Sequence, residues 1–247
     1  MNKNDHIHLE SIRQVEDSYF WHQLRFELVS ILLKKIKTIL PNNYKFFDLG
    51  SGNLGMVHYL KSHGYKHVVG VDQYENINET SDSYLKRNFQ APLNLPELAD
   101  VIISMDVIEH LAGPDFFLQE INKSLNENGY LIITAPAWPH LFSNWDQALG
   151  HFRRYRLQTL SNHLAQNNFT VIYKSYVFLF LYPFALFRKL LSTLQKEIKS
   201  PEFPIFPGPI NKFFYFLGTI ELFFMKLSLC LPLGTSLVIL AQKRKRH

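Results

Sequence analysis

Between Tyr44 and Asp72 the chain passes through a short apolar stretch, a turn holding three glycines, an amphipathic stretch and a second apolar stretch that ends on a carboxylate. Residues 45–49 (KFFDL) and 67–71 (HVVGV) read as strands, 50–55 as a tight turn and 56–63 as a helix, which together make a βαβ unit. Such a unit must be covered on both faces, so it commits the chain to layers of helices around a mostly parallel sheet.

The alternation continues downstream. A weaker third strand is expected near residues 84–88, a buried fourth over 100–105, a helix over 114–125 and a fifth strand over 130–135. Ahead of the unit, apolar side chains recur at Phe20, Leu24, Leu28, Ile31, Leu32, Ile36 and Ile39. This is the single stripe of a helix over residues 17–40 that Pro41 ends. After strand five come a loop rich in Trp, His and Arg (136–155), a helix (157–167), a strand (170–173), an aromatic region with a Pro-rich break at 201–209, and a last strand (235–242). The expected class is therefore α/β: a Rossmann-like doubly wound sheet, mostly parallel with an antiparallel last strand, plus a helical, aromatic-rich C-terminal cap. The 247 residues divide into an N-terminal helical lid (1–41), a nucleotide-binding core (42–174), the aromatic cap (175–232) and a closing strand with a basic tail (233–247).

Composition narrows the functional classes. With 47% hydrophobic and 19% charged residues the chain is a folded one, and its 21 Phe and 12 Tyr are an excess for its length. A single cysteine, Cys230, excludes an internal disulfide framework and a Cys-based zinc cluster, and suits a reducing compartment. The net charge of +5 favours anionic surroundings without choosing among lipid headgroups, phosphorylated substrates and nucleic acid. Residues 1–10 are polar and lack the apolar segment of a secretory signal. Residues 175–187 are too few to span a bilayer, which takes about 20, and residues 213–233 include Glu221 and Lys226. The expected location is cytoplasmic, at or near the inner membrane face.

Asp48-Leu-Gly-Ser-Gly-Asn-Leu-Gly55 lies between strand and helix, where glycines let the backbone approach a ligand with no Cβ in the way. Gly50, Gly52 and Gly55 also spell the dinucleotide pattern, and Asp72 stands about 20 residues on, where a carboxylate accepts ribose hydroxyls in either case. Asp48 ahead of the glycines, the helix ahead of the first strand, and Asp106-Val-Ile-Glu109-His110-Leu111 after strand four discriminate. The segments FFDLGSGNLG, VVGVDQ and ADVIISMDVIEHL resemble the successive motifs of class I S-adenosylmethionine-dependent methyltransferases of type 11 or 12, over residues 16–169.

That resemblance implies a cofactor, S-adenosyl-L-methionine, and a site for it. Asp48, Gly50, Ser51 and Gly52 would line the methionyl part, Asp72 the ribose, Gln73 the adenine and Asn88 with Phe89 its edge. The family more often has Asp at the position of Asn88. Met105, Asp106 and His110 would flank the sulfonium. Residues 16–25 resemble a lid in which Trp21 covers the cofactor and Arg25 grips the methionyl carboxylate. The plain alternatives are a ligand-free doubly wound domain, a surface pair at Glu109-His110, and core packing for Phe20 and Trp21.

Methyl transfer from a sulfonium asks the protein to hold the nucleophile in line and to take its proton. The loop at 136–155 falls on the carboxyl edge of the sheet, where such folds bind ligands. It is the expected acceptor wall, with Trp138, Trp145, Arg154 and Tyr155 as substrate contacts. His110 and His151 are the preferred catalytic residues, His140 and Asp146 other bases, and Arg153 a second clamp. Residues 211–229 are apolar nearly all round, the main stripe being Phe213, Leu217, Ile220, Phe224 and Leu227. Packing on residues 175–194 with dimerisation would cover them; insertion into a membrane surface, aided by Arg188, Lys189 and the basic tail, is the alternative. The tail resembles that of bacterial methyltransferases suspected of acting on envelope glycans or lipids. The expected partners are a small or lipid-linked acceptor, a membrane surface and a second copy of the chain, with no nucleic acid. An NAD-dependent oxidoreductase and a noncatalytic partner protein remain as rivals.

Overall fold

The computed structural model describes residues 18–36, 43–74, 83–192 and 206–245. Helix α1 (Phe20–Ile36) is followed by β1 (Lys45–Leu49), α2 (Gly55–Ser62), β2 (His67–Asp72), β3 (Tyr84–Lys86) and β4 (Ala99–Met105). Then come a 3₁₀ turn (Ile108–His110), α3 (Pro114–Ser124), β5 (Leu125–Pro136), a short α4 (Asn144–Ala148), α5 (Leu157–Gln166) and β6 (Phe169–Val177). Helices α6 (Tyr182–Ser192) and α7 (Gly208–Lys226) precede the last strand, β7 (Ser236–Lys243). The seven strands form one sheet in the order β3-β2-β1-β4-β5-β7-β6. Neighbours from β3 to β5 are parallel, and β7 runs antiparallel between β5 and β6, so the chain order reverses beside β1.

Alternation along the strands sorts side chains into two cores. Phe46, Val101, Ile103, Ile132 and Leu240 join α1, α2 and α7 on one face. Phe47, Ile102, Leu131, Ile133 and Ile239 join Phe117 and Ile121 of α3 and Leu160 and Leu164 of α5 on the other. Both faces of the central strands are thus removed from water, at roughly 1.5–3 kcal/mol of stabilisation per large apolar side chain.

Two expectations need correcting. Strand β6 extends to Val177, because Ser175, Tyr176 and Val177 pair with β7; residues 175–177 therefore belong to the sheet and not to the cap. Helix α7 is covered mainly by α1; of residues 175–194 only the stretch around Leu179–Leu181 and the start of α6 pack on it, with Phe180 and Phe184 each 5.8 Å from the Phe214 ring, rather than a full-length hairpin partner. Its buried face is Phe214, Gly218, Glu221, Leu222 and Met225. The stripe read from the sequence points outward instead, with Phe213, Ile220, Phe224 and Leu227 exposed. Gly218 sets this phase: a Cβ there would lie 2.1 Å from Leu24 Cδ1 of α1. Polar ties lock the pair. Asn211 accepts the Phe20 backbone N–H at 2.8 Å and donates to Ser18 O at 2.8 Å, capping α1, while Glu221 accepts the Phe180 N–H at 3.0 Å. Residues 1–17 of the expected lid and Arg246 of the basic tail lie outside the described residues.

Candidate active site

The carboxyl ends of β1, β4, β5 and β6 each carry a non-glycine residue with left-handed backbone: Leu54 (φ 68°), Asp106 (54°), Trp138 (65°) and Phe178 (62°). Such conformations cost about 1–3 kcal/mol each and persist where the surroundings hold them, commonly at functional sites. All four lie along one edge of the sheet.

On the β1–β2 side the edge is built from backbone and a carboxylate. Gly50 (φ 82°) donates its N–H to Val71 O at 2.8 Å, and a Cβ on it would lie 2.3 Å from Val107 Cγ2, so no other residue fits. The buried Asp72 accepts the Gly52 N–H at 2.9 Å through one oxygen, and those of Gln73 (2.7 Å) and Tyr74 (3.4 Å) through the other. Burial pushes its carboxyl above the ordinary range, and these three bonds offset only part of that. The Ser51 hydroxyl is buried with no hydrogen-bond partner. A carboxylate at the strand tip, a turn with no Cβ and an unpaired hydroxyl fit the ribose and methionyl parts of a nucleoside cofactor. Asp48 is buried in the same turn. Met105 is nearly buried, and Gln73 and Asn88 are exposed at the open edge.

At the end of β4, Asp106 is bracketed. Its N–H donates to Thr134 Oγ1 (3.1 Å), the Thr134 hydroxyl donates to its Oδ1 (2.9 Å), and Arg25 of α1 pairs with its Oδ2 (2.9 Å). Arg25 and Asp106, expected at one cofactor end, are thus brought together. Trp21 is half-buried, its ring 4.4 Å from that of Phe178. Phe20 is core.

Beyond β4 the 3₁₀ turn carries Glu109 and His110. Glu109, readable from sequence as half of a surface pair, is 0% exposed, and neither of its carboxylate oxygens meets a donor. Burial, with the neighbouring Asp106 charge adding to it, holds its carboxyl well above the ordinary range. The turn is pinned to the acceptor loop, where Phe152 N–H donates to Glu109 O at 2.8 Å. His110 and His151 meet edge to face with centroids 4.6 Å apart. His151 Nδ1 lies 3.1 Å from Asp146 Oδ1, which also accepts Arg154 Nε at 2.7 Å; Asp146 Oδ2 accepts the Ser143 N–H and hydroxyl at 2.9 and 3.1 Å. Burial alone would raise the Asp146 carboxyl, but the His151 hydrogen bond and the Arg154 charge outweigh it and bring it to about 2. An ionised Asp146 only accepts, so His151 donates through Nδ1.

Several expected contacts are committed elsewhere. Tyr155 is 1% exposed, packed in the core with its hydroxyl toward Ile108 O at 3.4 Å, so it supports the turn and lines no pocket. Phe89 is buried with its ring 5.4 Å from Phe117, which leaves it no free face for an adenine edge. Arg154 is held by Asp146 and by Ala137 O (3.2 Å), and is a loop tie rather than a clamp for substrate. Arg153 donates to Ala112 O at 2.8 Å, and His140 lies 3.0 Å from the Tyr182 hydroxyl. Asp146 orients an imidazole instead of serving as a base. Trp138 stacks on Tyr176 at 4.5 Å, its indole N–H buried and unpartnered, and Trp145 lies under the Arg188 guanidinium at 4.4 Å.

A doubly wound sheet with this strand order, an acid at the β2 tip and a glycine turn opposite it define a nucleoside-cofactor-binding enzyme of the methyltransferase class. A model of the methyltransferase domain family matches residues 20–174, more than half of the chain, and the protein belongs to that family. A ubiquinone biosynthesis O-methyltransferase of Pelagibacter ubique is 30% identical over 102 residues, 38% of this chain and 42% of that one. The match therefore spans less than half the length of that relative. A Haloferax volcanii methyltransferase complex with the Trm112 activator superposes with a TM-score of 0.60 at 15% identity, covering 97% of this chain and 95% of the other. An S-adenosylmethionine-dependent methyltransferase of Archaeoglobus fulgidus gives 0.54 at 18%, covering 88% and 94%. The chain thus carries a methyltransferase domain, and the family together with neighbours of the same fold indicates S-adenosylmethionine as its cofactor.

Proposed function

We propose that the protein methylates a hydroxyl oxygen on a lipid-linked or otherwise apolar small molecule, received between the acceptor loop and α6. The observation that carries this is the continuity of that loop with an apolar surface. Helix α6 is fastened to the loop by Lys189 on Phe142 O, Asn144 on Ser192 O (3.4 Å) and Arg188 over Trp145. Its other side exposes Phe184, Phe187 and Leu190 to water at 59%, 62% and 65%. Helix α7 exposes Phe213, Phe216, Ile220 and Phe223, flanked by Lys212 and Lys226, while its one carboxylate, Glu221, is turned inward. An apolar face with a basic rim and, among the described residues of these two helices, no exposed acid suits an anionic lipid surface. Among the described residues no helix is long and apolar enough to cross a membrane. The name of the Pelagibacter relative, an O-methyltransferase of ubiquinone biosynthesis, agrees with an oxygen acceptor on a lipid-like molecule.

S-adenosylmethionine, when bound, supplies a methyl group on a sulfonium. Asp72 holds the ribose hydroxyls, Asp48, Gly50, Ser51 and Gly52 give backbone access to the methionyl part, and Arg25 with Asp106 closes that end from α1. Trp21 and Met105 flank the cofactor, and Gln73 and Asn88 border the adenine. His110 and His151 form the reactive pole: the His151 Nε2 lone pair meets the acceptor hydroxyl, and Asp146 fixes the ring. Trp138 and Trp145 shape the wall.

Flotation with vesicles of anionic phospholipid, paired with methyl transfer to a phenolic lipid in those vesicles, tests the reading. The wild type is expected to float and to turn over, and Phe184→Ser with Phe187→Ser to lose flotation while keeping S-adenosylhomocysteine affinity. Equal turnover of a soluble phenol by both proteins, with no flotation by either, would contradict it.

A further inference from the structure

Glu109 is the one fully buried carboxylate among the described residues whose two oxygens both lack a hydrogen-bond partner. Leaving a charge in that state costs several kcal/mol unless a partner is supplied. The side chains beside it are imidazoles. One ligand atom each of Glu109, His110 and His151 lie within 4.8 Å of one another. That spread is wider than three ligands about 2.0–2.2 Å from a common centre allow, at most about 4.4 Å, so the exposed His110 ring must turn toward the other two for all three to reach one ion.

The surroundings match a metal centre more closely than a chance cluster. Asp146, bound to His151 Nδ1 at 3.1 Å, takes the outer position of a carboxylate–histidine–metal arrangement. Arg154 and Ser143 complete its bonds, so the orienting carboxylate stays ionised. The backbone bond from Phe152 to Glu109 O, at 2.8 Å, ties the turn bearing two of the groups to the loop bearing the third. Two imidazoles and one carboxylate favour zinc, manganese or ferrous iron over calcium and magnesium, which take oxygen ligands, and three protein ligands leave coordination positions open.

We infer that Glu109, His110 and His151 hold a divalent cation of the zinc or manganese type, with an open position for the acceptor's oxygen. A bound ion takes up the His151 Nε2 lone pair, so it would replace that nitrogen in activating the acceptor hydroxyl, whose proton then leaves to water; this catalytic use rests on the methyl-transfer reading above, while the ion's binding does not. Its role would be to orient the hydroxyl and lower its pKa.

The test uses the full chain, freed of metal by chelation, in titrations with Zn²⁺ by calorimetry and Mn²⁺ by electron paramagnetic resonance, with S-adenosylhomocysteine titrated in parallel. One site per chain is expected, weakened at least about 100-fold in Glu109→Gln and in His151→Ala and about 10–100-fold in Asp146→Asn, as for outer-shell partners generally. The exposed His67→Ala control should bind as the wild type does. Melting curves guard against misfolding: added metal should raise the wild-type Tm and leave that of Glu109→Gln unchanged. Absent binding, or binding equal in wild type and variants, overturns the inference. If metal binding fails while S-adenosylhomocysteine binds, the inference alone falls; the reverse pattern removes the methyl-transfer reading and leaves the metal site.

Discussion

The two halves of the sheet's carboxyl edge are built by different means. Around β1 and β2 the parts are backbone N–H groups, glycines and one carboxylate, all within 20–30 residues of chain: Gly50 under Val71, and Gly52 on Asp72 at 2.9 Å. Past β4 the parts are side chains drawn from distant segments. Arg25 of α1 reaches Asp106, and His151 from the loop after β5 meets His110 of the turn after β4. A binding half made of local backbone is insensitive to most neighbouring side chains, whereas the acceptor half depends on one buried ion network around Asp146. On the proposed assignment of the two halves, acceptor chemistry can change with a few loop residues while cofactor binding stays.

Substitutions in each half should separate accordingly. Asp146→Asn strands the Arg154 guanidinium and should cost about 3–5 kcal/mol of unfolding free energy by denaturant titration. The S-adenosylhomocysteine affinity of its folded form should stay within about threefold of wild type, and a large loss there would erase the distinction between the halves. Gly50→Ala should do the opposite. Forced against Val107 at positive φ, it should weaken S-adenosylhomocysteine on the order of 100-fold by calorimetry, equivalent to about 3 kcal/mol.

Acid should cost stability on the Asp146 side, because the raised Asp72 carboxyl takes its proton earlier in the descent without destabilising the fold. The folded Asp146 carboxyl titrates near 2, below its unfolded value of about 4, so its stabilisation is full above about pH 5 and lost as pH falls toward 2. The stability of the wild type should drop through that window by about 2 kcal/mol more than that of Asp146→Asn. Smallest, and outside both halves, Gly218→Ala should push α7 from Leu24 and cost about 1–3 kcal/mol, with both affinities unchanged.

This division also explains what could be read before the structure. The glycine turn, Asp72 and the strand alternation follow local rules of backbone and period 2, so the sheet and the cofactor edge were legible. Glu109 was missed because burial of one turn residue is set by the loop that closes over it; its apolar neighbours Val107, Ile108 and Leu111 were the available signal. Tyr155, Phe89 and Arg154 have the chemistry of ligand contacts, and only tertiary packing shows them used for the core and for a loop tie. In α7 the all-round apolar sequence hides the phase, which Gly218 and Glu221, the small and the acidic positions, mark instead.

The most direct test is calorimetric titration of the purified protein with S-adenosylmethionine, S-adenosylhomocysteine and NAD, beside Asp72→Ala. Saturable binding of the first two, weakened on the order of 100-fold by loss of the ribose-holding carboxylate, is the predicted result. Binding of NAD in their place, or undiminished binding by Asp72→Ala, would contradict the assignment of this edge to the methyl donor.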